Sequence, residues 1–268
     1  MRALRTELPG ESLLFLADQV HVPYGPRSLN QVRAFSEAIT RFLVGEGAKI
    51  IVVACNTASA AALHYLRRVF PTVPFVGMEP AVKPAAENTR SGTVGVLATP
   101  ATFQGALYAS VVERFAQGVT LLTNTCPGLV EQIEAGNTHG ERTRSILEAA
   151  LYPMLARGID TVVLGCTHYP LVIPVIQSIV GPEVRVIDPA PAVARQAHRL
   201  LDTHQLGNSG PPDPDRCLTT GDTSEFTRLL GQFNACSDIP LQAYWDEGEI
   251  SLHPPGAAPD QPHSAPAA

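Results

Sequence analysis

Ile50–Ala62, IIVVACNTASAAA, and Thr161–Pro170, TVVLGCTHYP, are the two stretches on which the reading of this chain turns. Each is a short β-branched run that ends in a cysteine with a threonine close behind, and each is followed by a segment of helical pattern. A run such as Ile50–Ala54, too short for a helix, reads as a buried parallel strand. Each cysteine then sits at the C-terminal end of a strand, beside the N-terminus of the next helix, where open α/β sheets form their ligand crevices. Free amides and the positive helix end bind carboxylates there and lower a thiol's pKa. One such turn says little. Two imply two similar halves, each offering one thiol.

Outward from these turns the chain alternates strands and helices. Arg2–Leu8 reads as the tail of a helix stopped by Pro9-Gly10, and Ser12–Ala17 as an apolar strand leading into the turn-rich loop Asp18–Arg27, DQVHVPYGPR. Ser28 and Gln31 make a capping box, and Val32, Phe35, Ile39, Phe42 and Leu43 keep helical spacing up to Gly45. Strand Ile50–Ala54, helix Ala58–Val69, strand Val73–Gly77 and a helix near Ala81–Asn88 complete a first series. A second runs through strand Thr93–Ala98, helix Thr102–Ala116, strand Val119–Thr123 and helices Leu129–Ala135 and Gly140–Arg157. Strand Thr161–Gly165, helix Leu171–Val180, strand Val184–Ile187 and helix Ala190–Thr203 close it. The expected fold class is therefore α/β: two pseudo-symmetric units with mostly parallel sheets flanked by helices, and a site in the cleft between them. The boundaries read as a discontinuous first domain, 1–91 plus 216–252, and a second domain, 92–206. GNSGPPDPD at Gly207–Asp215 is the linker, and a Pro/Ala-rich tail at 253–268 is expected to be disordered.

Composition narrows the function. With 45% hydrophobic and 16% charged residues the chain can bury a full core and is not a disordered protein. A formal charge of −6 argues against nucleic acid and anionic membranes as partners. No apolar run approaches the ~18 residues of a membrane span, and no signal-peptide core stands at the N-terminus, so a cytoplasmic protein is expected. The five cysteines, 55, 126, 166, 217 and 236, are odd in number and widely spaced, which reads as reduced thiols.

Two thiols on facing strand ends suit proton exchange at a carbon next to a carboxylate. Inverting an amino-acid Cα needs one base and one acid on opposite sides of the substrate, with roles that swap in the reverse direction. A thiol of ordinary pKa ~8.5 can be tuned either way. Amides and hydroxyls of Asn56-Thr57 and Thr167-His168 would hold the carboxylate and stabilise the carbanion-like transition state. No phosphate-binding glycine loop and no lysine typical of a pyridoxal-phosphate anchor stands out, so by elimination no cofactor is expected.

At these residues the sequence resembles the glutamate racemases, cofactor-independent two-cysteine enzymes that supply D-glutamate for peptidoglycan. ACNTA at Ala54–Ala58 and GCTHYP at Gly165–Pro170 match that family's two catalytic motifs, and PYGPRS at Pro23–Ser28 its third. CPGLVEQIEAG at Cys126–Gly136 and TTGD at Thr219–Asp222 are similar to two further motifs, and the resemblance runs from about Met1 to Trp245. It implies that Cys55 and Cys166 are the acid/base pair, with Cys166 taking the proton from L-glutamate and Cys55 from D-glutamate. It further implies that Tyr24, Gly25, Asn56, Thr57, Thr167 and His168 bind substrate, that His168 poises Cys166, and that Glu134 and Asp18 support the acid/base chemistry. The partner implied is the small-molecule substrate glutamate, with a homodimer as the assembly to look for. One departure stands out. The family opens with a strand ending in Asp-Ser-Gly-x-Gly-Gly, whose Asp poises the first cysteine; here Met1–Leu4 lines up inside the helix that follows that strand. The expectation is a first unit without that strand, owed to a misassigned start or to a paralogue with impaired catalysis.

Plainer readings stand beside these. A single cysteine at a strand end is usually a small buried hydrophobe, and Cys126, Cys217 and Cys236 are read so. Cys55, Cys166 and His168 could be zinc ligands, but a thiolate and an imidazole two residues apart rarely converge on a metal without a further paired ligand; no metal is expected. Asp18 could be an Asx cap, Glu134 a solvated helix face, and His21 and His64 packing residues. Two other function classes remain: a cysteine hydrolase, which leaves the second cysteine turn unexplained, and an inactive paralogue that only binds. A related acidic amino acid such as aspartate is the alternative substrate.

Overall fold

The structure is a computed structural model, and it describes residues 1–233 and 239–254. Helix α1 (Arg2–Glu7) is followed by strand β1 (Leu14–Ala17), a 3-10 turn at Gln19–His21, and helix α2 (Leu29–Gly45). The Ser28 capping box forms as read: its Oγ accepts from the Gln31 amide and the Gln31 side chain accepts from the Ser28 amide. Next come β2 (Ile51–Val52), α3 (Asn56–Val69), β3 (Phe75–Val76) and α4 (Val82–Asn88). The second series is β4 (Thr93–Ala98), α5 (Pro100–Gln104), α6 (Ala106–Phe115), β5 (Thr120–Asn124), α7 (Leu129–Glu134), α8 (Glu141–Leu155), β6 (Thr161–Gly165), α9 (Ile173–Val180), β7 (Arg185–Ile187) and α10 (Ala190–Thr203). The chain then adds β8 (Arg216–Thr219), α11 (Thr223–Phe233), β9 (Leu241–Gln242), β10 (Tyr244–Asp246) and β11 (Glu249–Ser251).

The second series builds a four-stranded parallel sheet in the order β5-β4-β6-β7. Side chains alternate across it with the two-residue period of a strand. Val94, Val96 and Val163 meet Ala85, Phe103 and Tyr108 on one face, while Leu97, Val162 and Leu164 join Leu129, Ile133, Leu147, Leu151 and Ile176 of α7, α8 and α9 on the other. With both faces covered, β4 and β6 are buried along almost their whole length, which is why they read as unbroken apolar runs.

The first series is less continuous. β1 pairs in parallel with β8, and β8 with β9; β2 pairs in parallel with β3 as a separate two-stranded piece. All four residues of β1 are only partly buried. Helices α2 and α3 cover β2 and β3 through Leu43, Val44, Leu63, Leu66 and Phe75, and the antiparallel hairpin β10–β11 lies against α2. Helix α10 packs on α1 and β3, with Ala197 and Leu201 against Leu4, Leu8 and Val76.

Several boundaries depart from the sequence reading, each for a local reason. β2 is two residues instead of five, because the Cys55 amide turns back to the Val53 carbonyl at 2.9 Å and takes the chain out of the ladder. The expected helix Thr102–Ala116 is two helices broken at Gly105, whose extended backbone presses so close to α3 that a Cβ there would lie 2.6 Å from the Ala60 Cβ. The expected helix Leu171–Val180 begins as a 3-10 turn, Tyr169–Val172. Cys217 is disulfide-bonded, which corrects the expectation of a reduced thiol there. Cys236 and the tail from 255 lie outside the described residues.

Candidate active site

The candidate site is assembled mainly from turns at strand ends and helix starts. Cys55 is the N-cap of α3: its Sγ accepts from the Ala58 amide at 3.4 Å. Burial pushes this thiol up to about 11, partly opposed by the Ala58 and Thr57 amides, and a charge on Cys166 pushes it further. A negative charge on Cys166 therefore makes Cys55 harder to ionise, as like charges do.

Cys166 ends β6 and is buried. Its Sγ lies 3.8 Å from Nδ1 of His168, whose Nε2 is 2.5 Å from the Glu134 carboxylate at the end of α7. Burial alone would lower the His168 pKa, but its hydrogen bonds to Cys166 and Glu134 outweigh that and push it up to about 10. Desolvation acts to raise Glu134, yet hydrogen bonds from His168 and from Gln19 hold it below the usual carboxylate value. At neutral pH the result is an imidazolium clamped between a carboxylate and a thiol. This is the setting that favours a thiolate.

The residues between the thiols are suited to an anion. Asn56 is buried, and neither its side-chain oxygen nor its nitrogen has a hydrogen-bond partner among the described residues. Leaving such a group unpaired costs about 1–3 kcal/mol, which a bound polar ligand would recover. Beside it the Thr57 hydroxyl lies 2.7 Å from that of Thr99, which lies 3.0 Å from that of Thr102. All three are buried and sit at helix starts on both sides of the crevice. Thr99 and Thr102 were missed in the sequence; the signal was there, since Thr99 follows β4 as Thr57 and Thr167 follow their strands. Thr167 is half-buried between Cys166 and His168.

The loop Pro23–Ser28 closes the first side. Gly25 packs on Thr99 so tightly that a Cβ would fall 2.9 Å from the Thr99 Cβ. Tyr24 packs with Cys55, Val32 and Ala58. Its pKa is raised by burial, by Asp18 and by the nearness of Cys55. Its hydroxyl donates to Asp18 Oδ2 at 2.6 Å. Asp18 is itself buried and also engages His21 Nδ1 at 2.9 Å, the Thr220 hydroxyl at 3.0 Å and Trp245 Nε1 at 2.7 Å. That geometry makes Asp18 an anchor with both oxygens engaged, joining β1, β8, β10 and the Tyr24 loop. His21 stacks on Phe35 at 3.8 Å. Cys126 and Tyr169 are buried neighbours of Cys166; burial pushes the Cys126 thiol up to about 12, and the Tyr169 hydroxyl donates to the Thr125 carbonyl. Among the described residues no group of three His, Cys, Asp or Glu side chains is arranged to hold a metal ion.

The family model described as Asp/Glu/Hydantoin racemase matches residues 1–197. Glutamate racemase of Roseiflexus sp. (strain RS-1) is 48% identical over 245 residues, covering 91% of this chain and 90% of that one. Among solved structures, a glutamate racemase isoform from Bacillus anthracis superposes with a TM-score of 0.82 at 29% identity over 92% of both chains. Escherichia coli glutamate racemase, in complex with L-glutamate and the activator UDP-MurNAc-ala, gives a TM-score of 0.77 at 30% identity, covering 90% of this chain and 91% of that one.

Proposed function

This chain belongs to the Asp/Glu/Hydantoin racemase family, and from that premise we propose that it interconverts L- and D-glutamate with two cysteine thiols and no cofactor. The observation that carries the proposal is the pair of thiols at two strand-to-helix turns, Cys55, which feels a charge on Cys166, and Cys166, which alone stands beside the His168–Glu134 pair. The substrate is supported by the relatives, whose names and bound ligands are those of glutamate racemases.

In the direction from L-glutamate, the Cys166 thiolate takes the Cα proton, and the electron pair left on Cα spreads into the α-carboxylate. The Cys55 thiol then delivers its proton to the opposite face, which leaves D-glutamate, a Cys166 thiol and a Cys55 thiolate. Cys55, pushed up to about 11 by burial, holds its proton at neutral pH and is the acid in this direction. His168, charged and tied to Glu134, stabilises the Cys166 thiolate and is repelled by no other cation among its neighbours named above. The unpaired Asn56 amide, the Thr57–Thr99–Thr102 hydroxyls and the free amides at the start of α3 supply the donors for the carboxylate in which charge develops. Tyr24, Gly25 and Thr167 line the substrate's remaining faces, and Asp18 anchors the loop that carries Tyr24.

The organisation that goes with this reading is 1–91 plus 216–252 as one domain and 92–206 as the other, joined by 207–215, with α10 packed across onto the first. The reading also carries a cytoplasmic role in supplying D-glutamate for peptidoglycan, and a homodimer; among the described residues no helix is long and apolar enough to cross a membrane. A second reading, a glutamate-binding paralogue with impaired chemistry, draws on the separation of β1–β8–β9 from β2–β3 behind Cys55. Deuterium exchange decides between them. The purified chain is incubated with L-glutamate in deuterium oxide, and loss of the Cα proton and gain of D-glutamate are followed by NMR and chiral chromatography. Racemisation that disappears in Cys55→Ala and in Cys166→Ala supports the proposal. A folded chain that binds glutamate calorimetrically yet neither exchanges nor racemises it overturns the proposal in favour of the paralogue.

A further inference from the structure

The loop that carries Tyr24 is braced from two directions. One set of braces is local: the Tyr24 hydroxyl donates to Asp18 Oδ2 at 2.6 Å, Arg27 Nε donates to the His21 carbonyl at 2.6 Å, and the Arg27 guanidinium stands 5.6 Å from the Phe35 ring. The other brace comes from the far end of the chain. Ala243, just ahead of β10, donates its amide to the Thr219 carbonyl at 2.8 Å, and β11 packs against α2. This sets Trp245, paired across the hairpin with Ile250, in edge-on contact with two rings, Phe35 at 5.8 Å and His21 at 4.9 Å. The Trp245 Nε1 then donates to Asp18 Oδ1 at 2.7 Å, and the Thr220 hydroxyl donates to the same oxygen at 3.0 Å. An indole N–H can only donate, and a bond to a carboxylate is among the stronger ones. With Oδ1 claimed from the C-terminal side, the carboxylate plane is fixed and Oδ2 is left for Tyr24. A string of printed bonds thus runs Trp245–Asp18–Tyr24, from the β10–β11 hairpin to the loop.

We propose that Trp245 is a positioning residue for glutamate binding: through Asp18 it sets the Tyr24 loop, so that the affinity of the site depends on the C-terminal hairpin. The proposal rests on the racemase reading above, which puts Tyr24 against the substrate. Trp245 acts through the carboxylate, and its N–H carries no charge, so this donor can be removed without altering the charge of the site. A purely packing role is the rival account. In that case the indole only fills the space beside Phe35 and His21, and its bond to Asp18 does nothing for Tyr24.

The test uses Trp245→Phe, which keeps an aromatic ring and loses the N–H, Tyr24→Phe, which loses only the hydroxyl, and the double variant. Binding is measured by calorimetry with racemic glutamate, a mixture already at equilibrium for the proposed reaction, so turnover contributes no heat. Kd should rise roughly three- to tenfold in Trp245→Phe, a part of what one bond to a charged group is worth. The double variant should bind no more weakly than Tyr24→Phe alone, as for residues acting through one string. A second readout needs no ligand. Trp245 is the single tryptophan of the chain, so nitrogen-15 NMR shows one indole resonance, and that resonance should move in Tyr24→Phe because the two donors share one carboxylate. It is read in the parent and in Tyr24→Phe, and so decides even where Trp245→Phe does not fold. An unchanged Kd in Trp245→Phe, losses that simply add in the double variant, or an indole resonance that ignores Tyr24→Phe overturns the proposal in favour of packing. A parent chain that binds glutamate without racemising it fails the function reading and still decides this one; a folded parent that binds no glutamate overturns both.

Discussion

Replacing Asp18 tests how much of the first half depends on one carboxylate. Its Oδ1 accepts from the Thr220 hydroxyl and Trp245 Nε1, its Oδ2 from the Tyr24 hydroxyl, and both lie near His21 Nδ1. Asp18→Asn keeps one oxygen. The donors differ in what they can do about the other: indole N–H can only donate, whereas phenol and threonine hydroxyls can turn and accept. The best arrangement therefore leaves the Asn oxygen on Trp245 and Thr220 and turns its NH2 toward Tyr24, which rotates to accept. What is lost is charge assistance, about 1.5–3 kcal/mol. Asp18→Ala removes every acceptor and strands the Trp245 donor, for about 3–5 kcal/mol on the same scale. At roughly 2–4 °C per kcal/mol for chains of this order, thermal midpoints should drop by about 3–12 °C for Asn and further for Ala. Urea titration gives the free energies directly, and glutamate KM should rise in both variants, modestly in Asn, where the Tyr24 hydroxyl is turned, and more in Ala, where it is released. Equal destabilisation by Asn and Ala, or an Ala variant within about 1 kcal/mol of the parent, would refute the view of Asp18 as a four-donor anchor.

Other consequences are more local. Gly25→Ala forces a Cβ to within 2.9 Å of the Thr99 Cβ, and Thr99 also holds the Thr57 hydroxyl; KM should rise several-fold while urea stability changes by less than about 1 kcal/mol, and an unchanged KM would show that this contact is not part of the substrate site. Desolvation acts to raise the Asp160 pKa, but hydrogen bonds from Ser91, Thr89, Arg90 and Thr161 together outweigh it and hold it down to about 2. A depressed carboxylate stabilises the fold above its unfolded pKa of about 3.9 and loses that contribution as pH falls through about 2. Asp160→Asn should therefore cost about 1 kcal/mol at pH 7, discounted for solvent screening, with parent and variant converging in acid denaturation curves. Alkylation of Cys55 by iodoacetamide, read by peptide mass spectrometry, should accelerate through about 11, well above an unperturbed thiol's ~8.5; a midpoint near the ordinary value would remove the argument that Cys55 rests protonated.

Much of this was legible from local pattern because local physics decides it. The Ser28–Gln31 capping box needs only four residues, and β4 and β6 announce themselves by apolar runs that both sheet faces require. Strand ends followed by cysteine and threonine located both thiols. What was not legible depends on contacts between distant segments. The break at Gly105 comes from Ala60, far away in sequence. Cys55 ends β2 early because it serves as the cap of α3, a role its residue type does not advertise. The hairpin β10–β11 has a short turn at Glu247-Gly248, both with positive φ, inside a stretch whose strands are three residues each, too short for a periodic signal. Asp18 read as a loop carboxylate because its donors Thr220 and Trp245 lie more than 200 residues on.

The two cysteine turns also show why similar sequence need not give equal chemistry. Both thiols end a strand at the start of a helical segment, and both are desolvated. Cys55 finds only backbone amides and the Thr57 hydroxyl to offset that burial. Cys166 finds His168 two residues on, and His168 finds Glu134, which comes from the α7 segment Leu129–Glu134. In the first half the residues after Cys55 are Asn56-Thr57-Ala58, with no imidazole at the matching position. The site is thus symmetric in where it puts its sulfurs and asymmetric in how it charges them. A substrate proton can be taken on one side and returned on the other only if one thiol acts as base while the other acts as acid, and the imidazolium–carboxylate pair stands on one side alone.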